Sequence, residues 1–588
     1  MALRPEKKKR SSEAGGTTAI ADWRSFLLRV MVIVGAGVWV FWPALHGDWL
    51  WDDDILITNN VIVHDPGGFW KIWFEPGKLV DYFPLTVSVE WMEWQLWREH
   101  TFGYHLISVI LHISSALLVW HFLNKLGLRL AWLGGLIFII HPVVVESVAW
   151  IAELKNTLSL PPFLLAMCAF IDYEERGKRR DYFLALGLFL VAMLCKTSMA
   201  PFPVVILLYL WWKRSRIGWG EIKVAVPFFA ISLGLGLVTT WFLNHHANSL
   251  SEHTFVIGGF FSRLALASLS IAFYFSKCFW PVGLLPIYPK WTIDPPSLAQ
   301  FLTWPILAGV ICWFWMKRAS WGRHALLGLG FFLLTLAPFV GLIAGSYMYF
   351  TWVMDHLLYI PLIGLIGLTV AGLGQVDRQL PASFRPFGIG IVAVVIGWLA
   401  WQSHVYAGVY LNQETFWNYT LQYNPDVWLA HNDLGIELSR SGRLDEAEKH
   451  FREALRLRPD YAEAHNNLGL TLIQNGNVSG AMEEYRQAVK IKPDYAAAHN
   501  NLANALTKAN RIPEAIEEYE QTLKINPGYA KAHYNLGVIL SQAGQIPQAI
   551  EHFELFLKIN PNNTAVRNQL AQLRSLHPDV PPAGSSGK

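Results

Sequence analysis

The spacing of hydrophobic residues divides the chain into two parts. Up to about residue 410, long apolar runs alternate with short polar turns, which is the pattern of helices that cross a bilayer. Beyond that point, apolar residues recur at helical spacing in shorter segments, and the whole pattern repeats every 34 residues. The pattern predicts an all-α protein in which a polytopic transmembrane helix bundle precedes an α-solenoid.

The first apolar run, 26–45, is long enough to cross a bilayer, and no small-residue cleavage site follows it. We therefore expect a retained anchor, and the basic cluster at 7–10 predicts that residues 1–25 are cytoplasmic. Hydropathy predicts ten further spans, at 104–123, 131–150, 157–172, 182–195, 200–211, 222–243, 302–316, 324–343, 357–373 and 387–406.

The segment 260–281 decides the orientation of everything that follows it. It is long enough to cross, but it contains Arg263 and Lys277 and is followed by several prolines. If it is re-entrant or interfacial, the bundle has about 11 spans, the later basic loops are cytoplasmic and the C-terminal part lies outside. If it crosses, twelve spans leave the C-terminal part in the cytoplasm.

The C-terminal period is carried by prolines, leucines, alanines and aromatic residues that return at the same register. The prolines are Pro425, Pro459, Pro493, Pro527 and Pro561. This resembles the tetratricopeptide repeat, a helix–turn–helix unit of that length. We expect a repeat domain at 411–577, with repeats 426–459, 460–493, 494–527 and 528–561, a capping helix 562–577 and a disordered tail 578–588.

A column of amides keeps one register through the repeats and predicts a surface that could hydrogen-bond the backbone of an extended polypeptide. Its members are Asn432, Asn466, Asn467, Asn500, Asn501 and Asn535. The alternative is that these residues are only repeat consensus. The histidines beside them, 34 residues apart, are too widely spaced to share one metal ion.

Composition agrees with a membrane protein and excludes other classes. The chain is 53% hydrophobic and 15% charged, and its net charge of +3 is spread over both signs, so a nucleic-acid partner is not expected. The four cysteines lie far apart in apolar segments, which favours buried thiols over disulfides or a metal centre.

An acidic turn, Asp48 to Asp54, directly follows the first span. Under the eleven-span topology it faces outside, together with the turn from His141 to Lys155, Lys196 and Asp355. Ionisable groups at membrane depth are costly unless they are paired or functional. Their convergence on one face predicts a single active site there.

The order of short motifs resembles the transmembrane-and-tetratricopeptide-repeat (TMTC) family. The motifs are Trp51-Asp52-Asp53, Tyr82 to Thr86, Gly103 to Leu106, His141-Pro142, Glu153 to Asn156 and Lys196. Members of that family join a GT-C glycosyltransferase core to external repeats, which implies a GT-C-like domain at 26–410 with an extracytoplasmic loop at 46–103. The stretch from Asp355 to Pro361 is similar to one that usually begins Asp-Arg, so no phosphate-binding role is carried over to His356.

The resemblance implies a membrane glycosyltransferase that moves a sugar from a polyprenyl-phosphate donor to an acceptor, often a Ser or Thr hydroxyl. Asp52 or Asp53 suits the base that takes the hydroxyl proton, or the ligand of a divalent cation such as Mg²⁺ or Mn²⁺. For the donor phosphate the first choice is Lys196, followed by His141 and His105. The residues expected to bind the acceptor or support the site are Glu146, Glu153, Asp355 and Tyr82.

The expected partners are a lipid-linked sugar, a polypeptide bound by the repeats and membrane lipids. The expected location is a bacterial inner membrane, with the repeat domain extracytoplasmic. The alternative function is a non-catalytic membrane-anchored scaffold whose repeats dock partners of a larger complex. Intact Asp52, Asp53 and Lys196 favour the enzyme, because an anchor has no use for ionisable groups gathered on one face.

Overall fold

In the computed structural model, residues 14–75, 77, 79, 82–246 and 257–578 are described; they contain helices and no strand. The predicted basic cluster at 7–10 and the tail beyond 578 lie outside these residues. The chain divides after Tyr419 into two compact units. The all-α class predicted from the sequence is confirmed.

The first unit contains the apolar helices and the short helices between them. Their bounds are α1 (Ala14–Val40), α2 (Val61–His64), α3 (Gly68–Phe74), α4 (Pro84–Trp97), α5 (Phe102–Lys125), α6 (Ala131–Ile140), α7 (Val145–Ala149), α8 (Leu154–Arg176), α9 (Arg179–Cys195), α10 (Phe202–Arg214), α11 (Trp219–His246), α12 (Phe260–Phe279), α13 (Thr303–Met316), α14 (Gly322–Leu336), α15 (Leu362–Gln379) and α16 (Arg385–Ala407). A further helix, α17 (Gln413–Tyr423), contains the division between the units.

Each predicted span overlaps a helix, with 131–150 divided between α6 and α7, but not every helix has the length and apolarity of a full crossing. Within the described residues, seven helices meet both conditions, or eight if α6 and the bent segment Pro142–Ala149 form one span. Helices α9 and α10 have 17 and 13 residues, whereas a bilayer core needs about 20. The chain is an integral membrane protein, and its count of eleven spans stays a prediction.

The segment whose crossing was in question forms α12, which is not among those seven helices. One side of α12 is buried, including Ala265, Leu266 and Tyr274, while Phe261 and Phe275 are exposed. One-sided burial suits a helix that lies along an apolar surface. The interfacial assignment stays a prediction.

The second unit consists of helix pairs whose starts are 34 residues apart. The pairs are α18 (Trp428–Arg440) with α19 (Leu444–Leu457), α20 (Ala462–Gln474) with α21 (Val478–Ile491), α22 (Ala496–Lys508) with α23 (Ile512–Ile525), and α24 (Ala530–Gln542) with α25 (Ile546–Ile559), followed by α26 (Thr564–Leu576). A small residue lets the two helices of a pair touch: a Cβ added at Gly435 would lie 2.8 Å from the Phe451 ring. The predicted α-solenoid is confirmed.

Candidate active site

The acidic turn is held by the side chain of Asp53, which is fully buried. Its Oδ2 accepts the backbone N–H of Leu50 at 2.8 Å, and its Oδ1 accepts that of Ala152 at 2.7 Å. Burial raises the pKa of Asp53, the two N–H groups oppose the rise, and the charges of Asp52 and Asp54 add to it. Asp53 therefore joins the acidic turn to the short helix Ile151–Glu153.

An aromatic stack reinforces the same junction. The Trp51 ring lies parallel to the Trp150 ring, with centroids 5.3 Å apart, and packs edge-on against Trp417 at 5.5 Å. Trp51 has a φ of 38°, a backbone conformation that a bulky residue rarely adopts. Such strain persists only where the surroundings impose it, and it concentrates at functional sites.

The other carboxylates of the turn differ in exposure and partners. Asp52 and Asp54 are both half-buried, on either side of the buried Asp53. Asp54 accepts the Thr58 hydroxyl at 2.8 Å within a π-helical turn. Asp48 donates its backbone N–H to the Leu411 carbonyl at 2.9 Å. Of the two carboxylates predicted to be catalytic, Asp52 has the accessible side chain and Asp53 the structural bonds.

Beyond the junction, a cluster of buried polar side chains begins at Glu146 and His356. Glu146 is fully buried. Its two oxygens accept the His356 backbone N–H and the His356 Nδ1–H, both at 3.0 Å. The His356 Nε2 lies 3.9 Å from Glu153 Oε1. His356 therefore lies between two carboxylates, those of Glu146 and Glu153.

The cluster continues through Asn156 to Lys196. Asn156 donates to Glu153 Oε2 at 2.5 Å and accepts from Lys196 Nζ at 2.5 Å. Lys155 Nζ lies 3.1 Å from the other Glu153 oxygen. Lys196 is 7% exposed, so its charge is held almost entirely by protein groups. A buried, hydrogen-bonded ammonium is well positioned to stabilise a negative charge brought next to it.

A narrow cleft opens beside this cluster. Its polar lining comes from Asn156, Lys196, Ser198 and His356, and its apolar lining includes Phe163, Met199, Phe339 and Tyr359. One side of the cleft thus offers two nitrogen groups of basic side chains and a hydroxyl, and the other offers apolar surface. Such a lining suits a phosphate attached to an apolar chain.

The two histidines predicted to bind phosphate are not among the residues that line the cleft. His141 is buried, with Nε2 3.0 Å from the Cys278 carbonyl and Nδ1 accepting the Val143 N–H at 3.4 Å. His105 is buried, with Nε2 3.2 Å from the Gly47 carbonyl. All of these contacts are to backbone groups, and a phosphate-binding role for the two histidines stays a prediction.

The remaining supporting residues are also placed away from the cleft lining. Asp355 is fully buried and accepts hydroxyls from Tyr288 at 2.9 Å and Tyr406 at 3.3 Å. Burial raises the pKa of Asp355, and the charge of Glu146 adds to the rise. Tyr82 is half-buried, its ring 5.7 Å from that of Phe242.

A divalent cation finds no ready set of ligands here. Within the part of the chain that the structure describes, no group of three or more His, Cys, Asp or Glu side chains is placed to hold a metal ion. Both oxygens of Asp53 already accept N–H groups. The residues of the acidic turn therefore do not fit the predicted cation.

The sequence analysis did not predict the roles of two residues of the cluster, His356 and Asn156. His356 received no phosphate role because it departs from the Asp-Arg pattern, yet it lines the cleft with Lys196. Asn156 was noted only as part of a motif, yet it links Glu153 to Lys196. The sequence did contain a signal for both residues, because an asparagine and a histidine in apolar surroundings must find hydrogen-bond partners.

In the repeat unit, most of the predicted peptide-binding amides pair with one another. Asn467 donates to Asn432 at 3.0 Å, and Asn501 donates to Asn466 at 2.8 Å. The histidines beside them contact the proline carbonyl six residues earlier, as His431 does with Pro425 at 3.0 Å. Most of this column therefore joins successive repeats.

Comparison with known proteins places the two parts of the chain. Models of the tetratricopeptide repeat match residues 432–496, 503–544 and 530–563. The C-terminal unit is thus built of tetratricopeptide repeats, as predicted.

Over a longer stretch, the chain is similar to protein O-mannosyl-transferase TMTC4 of Mus musculus, with 25% identity over 70% of this chain and 64% of that protein. It is also similar to TMTC1 of Homo sapiens, with 25% identity over 72% of this chain and 54% of that protein. The chain spans less than two thirds of the length of these curated relatives. The resemblance to TMTC proteins with a repeat domain, predicted from the motif order, is confirmed.

Among solved structures, the chain is similar to MamA, with 22% identity and a TM-score of 0.24 over 26% of this chain and 87% of that one. It is similar to the same degree to YrrB, with 20% identity and a TM-score of 0.24 over 26% of this chain and 80% of that one.

Proposed function

We propose that the chain is a GT-C type glycosyltransferase that moves a sugar from a polyprenyl-phosphate donor to a hydroxyl of a polypeptide. The observation that carries the proposal is the direct bond from Asp53 to Ala152. It attaches the acidic turn to the segment whose next polar residues, Glu153 and Asn156, lead to Lys196 and the cleft. The relatives are named protein O-mannosyl-transferases, which supports mannose as the sugar and Ser or Thr as the acceptor.

In this proposal the cleft receives the donor. Lys196 Nζ and His356 face the phosphate, while the apolar side of the cleft accommodates the first part of the lipid. Positive groups aimed at the leaving phosphate stabilise the charge that it gains as its bond to the sugar breaks. Because these groups are already fixed by Asn156 and Glu146, little reorganisation is needed during the reaction.

Asp52 is the proposed base. The acceptor hydroxyl gives its proton to the Asp52 carboxylate while its oxygen bonds to the anomeric carbon of the sugar. The carbon–oxygen bond to phosphate breaks, and the polyprenyl phosphate leaves with the electron pair. Asp53 positions this turn, and the strained backbone of Trp51, stacked on Trp150, holds Asp52 in place.

We further propose that the repeats recruit the polypeptide acceptor. The orientation follows the charge rule used for the sequence, with the N-terminus cytoplasmic, the acidic turn and the repeats extracytoplasmic, and the protein in a bacterial inner membrane. Under this arrangement the donor, the base and the acceptor meet on the same side of the membrane.

The experiment compares Asp52→Asn, Asp53→Asn and Asp54→Asn in purified full-length protein, supplied with polyprenyl-phosphate mannose and a Ser/Thr peptide. We expect Asp52→Asn to lose transfer by about 10²–10⁴-fold with unchanged thermal stability, the usual contribution of a general base. Asp53→Asn should lose activity and stability together, and Asp54→Asn should stay close to the native protein. Unchanged transfer in Asp52→Asn would contradict the proposal, and loss of a binding partner alone would support the scaffold.

A further inference from the structure

An apolar cavity lies between five helices of the membrane unit, α5, α8, α10, α14 and α15. Most of its wall consists of apolar side chains, among them Met167 and Phe331. The polar side chains of its lining are Tyr209, Trp212 and His324, which lie together where α10 ends and α14 begins. The cavity is therefore apolar over most of its wall and polar at one end.

The cavity and the cleft beside Lys196 lie at different depths along the same helices. On α14, the cleft is lined by Thr335, near the C-terminal end, and the polar end of the cavity by His324, in the first turn. At about 1.5 Å per residue, these two positions are about 16 Å apart along the helix. A phosphate held by Lys196 therefore cannot also bind His324.

The polar end of the cavity keeps hydrogen-bond donors that the protein does not use. The Trp212 indole N–H donates to His324 Nδ1 at 2.9 Å, so the proton of the neutral imidazole is on Nε2. His324 is exposed, and its Nε2 makes no hydrogen bond to any residue that the structure describes. The neighbouring Arg323 is half-buried and donates one guanidinium N–H to the Ser215 hydroxyl.

Positive charge is in excess around this end. Elsewhere at the ends of these helices basic residues are paired: Lys125 lies 2.8 Å from Asp172, and Arg214 contacts two glutamates. Four basic residues near the end of α10 and the start of α14 form no ion pair within the described part of the chain. They are Arg216, Lys317, Arg318 and Arg323. A cluster of unpaired basic residues at the end of membrane helices attracts anionic lipid headgroups.

Tryptophans indicate the level of this end in the bilayer. The rings of Trp211 and Trp315 stack with centroids 5.5 Å apart, and Trp321 packs edge-on against Trp313 at 5.0 Å. Trp313, Trp315 and Trp321 are exposed. Tryptophan is enriched where lipid headgroups meet hydrocarbon. The polar end of the cavity therefore lies at the level of headgroups, and its apolar wall lies at the depth of acyl chains.

We propose that the cavity binds an acyl chain of one anionic phospholipid, whose phosphate is bound by Arg323 and His324. The phosphate oxygens accept from the guanidinium and from His324 Nε2–H. The acyl chain fills the apolar part of the cavity, beside Met167 and Phe331. A lipid held in this way contacts all five helices and stabilises the bundle. The inference goes beyond sugar transfer and does not depend on it.

The test measures thermal unfolding of the delipidated full-length protein in a neutral detergent. Phosphatidylglycerol is compared with phosphatidylcholine that has the same acyl chains. We expect phosphatidylglycerol to raise the Tm by at least about 4 °C more than phosphatidylcholine, with a saturable dependence on its concentration. Inorganic phosphate and glycerol phosphate, which carry the anion without a chain, should not shift the Tm.

The variants separate the headgroup from the chain. Arg323→Gln should require at least about fivefold more phosphatidylglycerol for the same shift, because one charge beside the phosphate is lost. Arg385→Gln is the matched control, since Arg385 is exposed at the start of α16 and does not line the cavity. Ala371→Phe places a ring in the cavity and should abolish the difference between the two phospholipids while the lipid-free protein stays folded.

The tail of polyprenyl phosphate is the competing occupant of the cavity. We expect its Tm shift and that of phosphatidylglycerol to add, and Lys196→Ala should respond to phosphatidylglycerol as the native protein does, whether or not it transfers sugar. Loss of the phosphatidylglycerol shift in saturating polyprenyl phosphate would assign the cavity to the donor and overturn the proposal. Equal shifts from the two phospholipids, a native response in Arg323→Gln, or a shift from inorganic phosphate alone would also overturn it.

Discussion

The membrane unit and the repeat unit both bury polar side chains, but they connect them in different ways. In the repeats, the same bonds return with the period: His499 contacts Glu518, 19 residues on, just as His465 contacts Glu484. In the membrane unit, the bonds join Glu146 to His356 across 210 residues and Asn156 to Lys196 across 40. Repeated local pairs stabilise an architecture, whereas one set of distant partners builds a single site.

The two networks also differ in where they end. In the repeats, the first two steps between successive asparagines are complete, and the Asn500 Oδ1 has no hydrogen-bond partner among the described residues. The membrane network ends at a cleft lined by Lys196 and His356. Polar groups whose hydrogen bonds are all made within the protein therefore serve structure. Polar groups that line a cleft or lack a partner are the candidates for binding.

The largest effect is expected from removing the charge at the end of the membrane network. Lys196→Ala should reduce transfer by about 10²-fold or more, because the leaving phosphate loses its principal positive partner. Initial rates with polyprenyl-phosphate mannose would measure the loss. The matched control is Lys71→Ala, since Lys71 is paired with Asp65 and does not line the cleft; equal losses in both variants would refute the assignment.

Replacing His356 tests the second basic residue of the cleft. His356→Gln should slow transfer by about tenfold or more, because a neutral amide replaces a side chain held between two carboxylates. His356→Arg places a permanently charged side chain at this position and should retain transfer within a few-fold. Rates of the two variants at one pH decide the point, and a larger loss in the arginine variant would count against a phosphate beside His356.

Breaking a hydrogen bond between successive asparagines of the repeats should affect stability alone. Asn467→Ala removes the donor to Asn432 and should destabilise the first two repeats by about 1–3 kcal/mol, because a buried acceptor is left unpaired. Hydrogen exchange of residues 426–493 would measure it, with the exposed Lys490→Ala as the control. Loss of transfer to a short peptide with no loss of stability would contradict the structural role.

Acidic pH is expected to have opposite effects on the stability contributed by two histidines of the repeats, His552 and His499. Burial, with the neighbouring His533, lowers the pKa of His552 from 6.5 to about 4. A lowered folded-state pKa means that the unfolded chain binds the proton more readily, so this contribution to stability is lost as the pH falls from 6.5 towards 4. For His499, burial acts to lower the pKa, but the hydrogen bond to Glu518 holds the pKa above its usual value. The stability that His499 contributes is therefore lost as the pH rises.

The matched variant is His552→Glu, which installs the residue found at Glu484 and Glu518. The fourth repeat should then become more stable than the native one below pH 6, where its carboxylate pairs with His533. Hydrogen exchange of residues 528–561, corrected for intrinsic rates, would detect the change. An unchanged acid response would show that the pair His533–His552 does not govern it.

Much of the fold was predictable because its signals are local or periodic. The 34-residue period predicted the four helix pairs, and the structure adds the close approach of α18 to α19 at Gly435. Apolar runs predicted the positions of the membrane helices, including the short α9 and α10, which were expected at 182–195 and 200–211.

The site was predictable only in part. The acidic turn and Lys196 stood out because charged groups are costly in apolar surroundings. The division of labour between Asp52 and Asp53 depends on the Ala152 N–H, 99 residues away. Likewise, the pairing of Asn467 with Asn432 depends on how repeats stack, and a one-dimensional pattern does not contain the distances that decide such partners.

The most direct test of the proposed donor site is a structure of the full-length protein in nanodiscs with polyprenyl phosphate bound. We expect the phosphate within hydrogen-bond distance of Lys196 Nζ, beside His356, with the lipid leaving along Phe163 and Phe339. A phosphate bound elsewhere, with Lys196 and His356 contacting only protein, would contradict the proposed donor site.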